Sequence, residues 1–226
     1  MEPASVKIRV NEAESVSALI YPTSKRDRAS VTVLLGHGAG ANQLSAFMRM
    51  FASGLTARGF DAMTFNFLYT EQGRRVPDPK ARLESCYRAV IETARKHKKL
   101  KANRLVIGGK SMGGRIASQV AADGDEGIGG LVFLGYPLHP PGKPDQLRAE
   151  HLKDIRAPML FVQGLRDAFG TANEIRAIIE KQRLPATLYT VEGGNHSFKV
   201  PKTLRRPQQE IYETIIDEVA QWARTL

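Results

Sequence analysis

Cysteine is almost absent from this 226-residue chain: a single one, Cys86, can form no internal disulfide and excludes any site that needs several thiolates. That usage suits a reducing compartment. Long hydrophobic runs are missing too, since stretches such as Leu-Val-Phe-Leu at 131–134 fall far short of the roughly 18 residues a membrane helix requires. Residues 1–7 contain no apolar core followed by a small-residue cleavage site, so no secretory signal is expected. These absences lead to the expectation of a soluble, cytoplasmic protein with no membrane partner.

What is present is globular material. With 42% hydrophobic and 25% charged residues, disorder is excluded and one large core can form, expected as a single domain over 1–226. The formal charge of +10 is uneven. Six cations and no acid lie between Arg95 and Arg104. The run closes a predicted helix, where cations favour the negative end of the dipole. No aromatic-interleaved basic ribbon or helix-turn-helix pattern accompanies it, so no nucleic-acid partner is expected.

Apolar β-rich runs at 6–10, 16–21, 31–35, 62–67, 104–108, 130–134, 159–163 and 187–191 predict eight strands. Helical periodicity at 44–58, 79–98, 112–122, 172–182 and 207–222 fills the gaps between the later ones. The first two strands, joined by a polar turn, predict an antiparallel pair. The alternation that follows predicts an α/β fold: a mostly parallel eight-stranded sheet flanked by helices. Cys86 falls on the buried stripe of the helix at 79–98, which gives it a packing role.

In such sheets ligands sit beyond the carboxyl ends of the strands. After the strand at 104–108 the chain reads Gly109-Lys110-Ser111-Met112-Gly113 and enters a helix. This Gly-x-Ser-x-Gly pattern describes a strained turn that holds a serine hydroxyl out over the sheet edge. Alone the pattern is common; between a buried strand and a helix it is specific. A phosphate-loop reading fails because Arg104 stands where that motif needs glycine.

Serine needs a base and the base an orienting acid. Of the five histidines, His97, His139 and His151 lie in polar or proline-rich surroundings and are expected at the surface. His196 follows the last predicted strand in a glycine-rich loop and is the candidate base. Asp167, just after the strand at 159–163, is the candidate acid, ahead of Asp145, Asp154 and Glu192. The chain order Ser111, Asp167, His196 agrees with this type of turn. Gly36-His37-Gly38-Ala39-Gly40 follows the strand at 31–35, and the Ala39 and Met112 amides are the candidate oxyanion donors, with Gly40 in reserve. A dinucleotide reading of this glycine turn fails because Asp61 begins the second strand instead of ending it. His37 is expected to brace the turn.

These residues resemble the α/β-hydrolase superfamily over essentially the whole chain. Within it the chain is similar to the small dienelactone-hydrolase-like group that includes the hydrolase-like domains of NSL-complex-type and testis-expressed proteins. The segments at 73–78 (Gly-Arg-Arg-Val-Pro-Asp) and 135–144 (Gly-Tyr-Pro-Leu-His-Pro-Pro-Gly-Lys-Pro) carry that narrower likeness. Dienelactone hydrolases proper have cysteine at the elbow; serine here favours general ester chemistry. The resemblance implies an acyl-enzyme mechanism with Ser111 as nucleophile, His196 as base and Asp167 as its partner, with no metal or organic cofactor.

The connection at 136–158 is too short for a large cap, and four prolines stiffen its first half. An open site for small esters or thioesters is therefore expected. Gly40, Arg74, Arg75 and Tyr136 are candidate substrate contacts, the two arginines toward an anionic acyl group. The other function class consistent with the resemblance is a hydrolase-fold scaffold that has lost catalysis.

Overall fold

The computed structural model describes residues 2–226. Eight strands form one sheet: β1 (Ala4–Arg9), β2 (Ser15–Tyr21), β3 (Val31–Gly36), β4 (Asp61–Phe65), β5 (Arg104–Lys110), β6 (Gly130–Leu134), β7 (Met159–Gly164) and β8 (Ala186–Val191). Their order is β1-β2-β4-β3-β5-β6-β7-β8. β2 pairs antiparallel with both β1 and β4, and every later pairing is parallel. This is the predicted architecture, the α/β-hydrolase fold.

Central strands are apolar on both faces because helices cover both. Successive residues alternate sides. Val33, Leu35 and Val106 pack with Phe51 and Leu55 of α1 (Ala46–Thr56) and Ile215 and Val219 of α6 (Gln208–Arg224). Leu34, Ile107 and Phe133 face the other way, toward Leu83 and Val90 of α3 (Lys80–Lys96) and Ile116 of α4 (Met112–Ala122). α5 (Ala172–Gln182) joins that second layer through Ile175, starting from a Thr171–Glu174 capping box. Cys86 is fully buried in the same layer, where burial pushes its thiol up to about 12.

One local difference from the sequence reading has a physical cause. β4 ends at Phe65, before the expected 67, because Phe67 caps a one-turn helix, α2 (Leu68–Glu71). Four residues are too few to show helical periodicity. The connection from β6 to β7 carries one 3-10 turn, Glu150–Asp154, and no large cap. No helix among the described residues is long and apolar enough to cross a membrane. The Arg95–Arg104 run spans the C-terminus of α3 and the amino end of β5, the edge opposite Ser111.

Candidate active site

β5 ends at Lys110 and α4 begins at Met112, so Ser111 is the single hinge between them. Its backbone sits at φ 50°, ψ −113°, a region that costs on the order of 1–3 kcal/mol for a side-chain-bearing residue. The flanking glycines make this turn possible. A Cβ on Gly109 or on Gly113 would lie 2.1 Å from the Gly36 carbonyl oxygen, so β3 and the turn approach closely only because both positions lack side chains. The turn places the Ser111 hydroxyl at the positive end of α4.

The loop after β8 delivers His196. Asn195 holds that loop closed: its Oδ1 accepts from the amides of Ser197 at 2.9 Å and Lys199 at 3.0 Å. The Arg166 amide donates to the Gly194 carbonyl at 2.8 Å, which ties the loop to the turn after β7. His196 Nε2 then lies 2.8 Å from Ser111 Oγ, and its Nδ1 lies 2.8 Å and 3.0 Å from the two carboxylate oxygens of Asp167. Asp167 is 2% exposed. Its Oδ1 also accepts from the Phe169 amide at 2.8 Å, and its Oδ2 from Gln163 Nε2 at 3.0 Å. The Phe169 ring packs over the imidazole with centroids 4.3 Å apart. A hydroxyl, an imidazole and a buried carboxylate in this sequence can pass a proton from the oxygen to the ring while the ring is held in one tautomer.

Ala39 and Met112 border the same cleft, of about 230 Å³, as Ser111. Among the described residues no hydrogen-bond acceptor takes either amide, so both are available to an incoming oxygen. His37 stands behind the Ala39 turn, fully buried, its Nδ1 2.9 Å from the Gly38 carbonyl and its Nε2 accepting from the Phe67 amide at 3.3 Å. Burial holds this imidazole neutral, with its pKa lowered to about 4. Gly40 is exposed at φ 73° beyond the cleft lining.

Several sequence expectations are corrected. Tyr136 has no exposed surface to offer a substrate: its ring packs against Phe133 and Phe161, and its hydroxyl donates to the Arg148 carbonyl at 2.8 Å. Arg74 does not line the cleft itself, because its guanidinium is taken up by Asp78 at 2.5 Å and Gln72 at 2.8 Å, and Arg75 is exposed outside the lining. His139 is 5% exposed, not a surface group, since its ring bridges the Pro140 carbonyl and Glu174. His151 is half-buried against Ser118 at 2.8 Å. Asp61 does open β4, as the sequence reading has it, and is buried at the opposite edge in contact with Arg28, Thr23 and Asn103.

Three neighbours of the site carried no sequence signal. Gln163 is a polar residue at the end of an apolar strand. Lys110 donates from Nζ to the His196 carbonyl at 2.6 Å, and burial lowers its ammonium to about 8 against the opposing pull of Asp167. Arg115, one turn into α4, faces the cleft beside Arg148. Among the described residues no group of three His, Cys, Asp or Glu side chains is placed to hold a metal ion.

Comparison with known proteins agrees with this architecture. The quorum-quenching protein AidA of Acinetobacter baumannii is 30% identical over 125 residues, which cover 54% of this chain. The match spans only 40% of that protein's own length. An alpha-beta serine hydrolase homologue from Coxiella burnetii superposes with a TM-score of 0.76 at 19% identity, covering 96% of this chain and 98% of its own. A dienelactone hydrolase from Anabaena variabilis gives 0.74 at 18% identity, covering 98% and 97%. At such identities these likenesses are of fold. The profile of the alpha/beta hydrolase domain matches residues 29–224, and the chain belongs to that family.

Proposed function

We propose that the protein is a serine hydrolase of small carboxylic esters or thioesters, anionic acyl groups included, that works through an acyl-enzyme. The observation that carries this reading is the unbroken chain from Asp167 through His196 to Ser111, with 2.8 Å at each link. His196 Nε2 takes the hydroxyl proton as Ser111 Oγ attacks the acyl carbonyl. The Ala39 and Met112 amides receive the oxyanion, each worth about 3 kcal/mol of barrier when well aimed. His196 returns the proton to the departing alcohol or thiol. A water activated by the same imidazole then frees the acid. Asp167 keeps Nδ1 protonated and stabilises the imidazolium. No metal or organic cofactor enters these steps, and the short connection after β6 leaves the cleft open to small substrates.

A fluorophosphonate probe tests the nucleophile. Ser111 is expected to be labelled in the folded protein, and Ser111→Ala to lose both labelling and p-nitrophenyl ester hydrolysis with its melting temperature unchanged. No labelling of folded wild type, together with no hydrolysis across short acyl chains, would instead leave a hydrolase-fold scaffold.

A further inference from the structure

Four charged side chains line the Ser111 cleft: Asp78, Lys80, Arg115 and Arg148. Two of them have partners. Asp78 is held by Arg74 at 2.5 Å and by Arg82 at 3.4 Å, and Lys80 pairs with Glu84 at 3.2 Å. The guanidinium groups of Arg115 and Arg148 make no ion pair and no side-chain hydrogen bond among the described residues, although both are half-buried. Burial lowers the pKa of Arg115, Arg148 lowers it further, and the opposing influences of Tyr136 and Glu84 are weaker. The same positive field reaches His151, where burial and then the charges of Lys80 and Arg115 lower the ring to about 4.

Two mutually repelling cations with open forks, partly removed from water, are stabilised most by a shared planar oxyanion. Arg115 follows Ser111 by one helical turn, so the two lie on the same side of α4. A cleft of about 230 Å³ holds only a short acyl group between them.

We propose that Arg115 and Arg148 form a carboxylate-binding subsite, which makes the preferred substrate a half-ester or half-thioester of a small dicarboxylic acid. This rests on Ser111 being the nucleophile. The ester carbonyl lies at Ser111 and the free carboxylate spans the two guanidinium groups. Hydrolysis consumes one water and releases the dicarboxylic acid and an alcohol or thiol. The enzyme thus acts where a dicarboxylic acid has previously been esterified at one end.

The test compares p-nitrophenyl hemisuccinate with neutral p-nitrophenyl butyrate, on wild type and on Arg115→Gln and Arg148→Gln, with melting temperatures to verify folding. Wild type should prefer the anionic ester. Each variant should lose roughly tenfold in kcat/KM on it, the size expected for one charge-assisted hydrogen bond, while the neutral ester changes little. Equal rates for both esters in wild type, or equal losses on both in the variants, would overturn the subsite while leaving the hydrolase reading intact. A second measurement needs no catalysis. Succinate should raise the melting temperature of Ser111→Ala more than inorganic phosphate does, and Arg115→Gln in that background should abolish the rise. Protection by phosphate without protection by succinate would overturn the carboxylate assignment, as would no protection by either.

Discussion

Gln163 holds Asp167 from the strand beneath it, with Nε2 3.0 Å from the Asp167 carboxylate and Oε1 accepting the Tyr136 amide at 2.7 Å. Gln163 Nε2 also donates to the Gly170 carbonyl at 2.6 Å. One fully buried side chain therefore joins the end of β7, the turn after β6 and the candidate acid. Gln163→Leu keeps the approximate volume and leaves a buried N–H and a buried carbonyl without partners. Unfolding in urea should show a loss of about 2–4 kcal/mol. Ester hydrolysis should fall in kcat more than KM rises, because Asp167 then loses a donor that fixes its orientation. An unchanged urea midpoint would remove Gln163 from this role.

Lys110 couples the elbow to the histidine loop through its bond to the His196 carbonyl. Its folded pKa of about 8 lies below the free value of 10.5. Between those values the unfolded chain binds more protons, so the Lys110 contribution to stability rises with pH across that window. Activity should move oppositely, since the neutral amine donates more weakly to the loop. Wild-type kcat is expected to decline above about pH 8 while the melting temperature does not follow. In Lys110→Met the decline should be missing and kcat lower throughout. A decline that survives the substitution would assign it to another group.

How much of this was legible in the sequence depends on what kind of signal each residue carries. The elbow could be read because a buried strand, a Gly-x-Ser-x-Gly turn and a helix impose three independent patterns on adjacent residues. Asp167 and His196 could be placed because each follows a strand, and topology brings strand ends to one edge. Side-chain direction is not encoded at that level. Tyr136 does follow β6 at the correct edge, yet its ring turns inward to the Phe133 and Phe161 rings. His139 sits in a proline-rich segment but folds back onto Glu174. The loop position of Arg74 does not reveal that Asp78, four residues on, captures it. Arg115 carries no such signal because helical spacing gives a face, and only the packed fold says what that face meets.

Gly113 tests how tightly the elbow is constrained. Its missing Cβ would lie 2.1 Å from the Gly36 oxygen and 2.3 Å from the carbonyl carbon, both backbone atoms that cannot rotate aside. Gly113→Ala should therefore cost about 3 kcal/mol or more in denaturant unfolding and displace Ser111 enough to abolish fluorophosphonate labelling. Gly40 is the control: nothing lies within 4 Å of a Cβ there, though its φ of 73° disfavours a side chain. Gly40→Ala should cost only about 1 kcal/mol. Equal losses at the two positions would mean that the contact with β3 does not constrain the elbow.

His37 supplies an acid-side counterpart to Lys110. It is buried as the neutral imidazole, with a folded pKa of about 4 against 6.5 when free. Between pH 6.5 and 4 the unfolded chain takes up a proton that the folded chain refuses, so this contribution to stability is lost as pH falls through the window. A shift of that size corresponds to about 3 kcal/mol. His37→Gln keeps a donor for the Gly38 carbonyl but cannot titrate. It should be less stable than wild type at pH 7, with the gap narrowing by up to about 3 kcal/mol toward pH 4. Carboxylates titrate in both proteins and largely cancel in the comparison. Because the His37 ring braces the turn that carries the Ala39 amide, hydrolysis by wild type should also fail at a higher pH than global unfolding begins. Parallel stability curves for the two proteins would mean that the His37 ring is hydrated and free to charge.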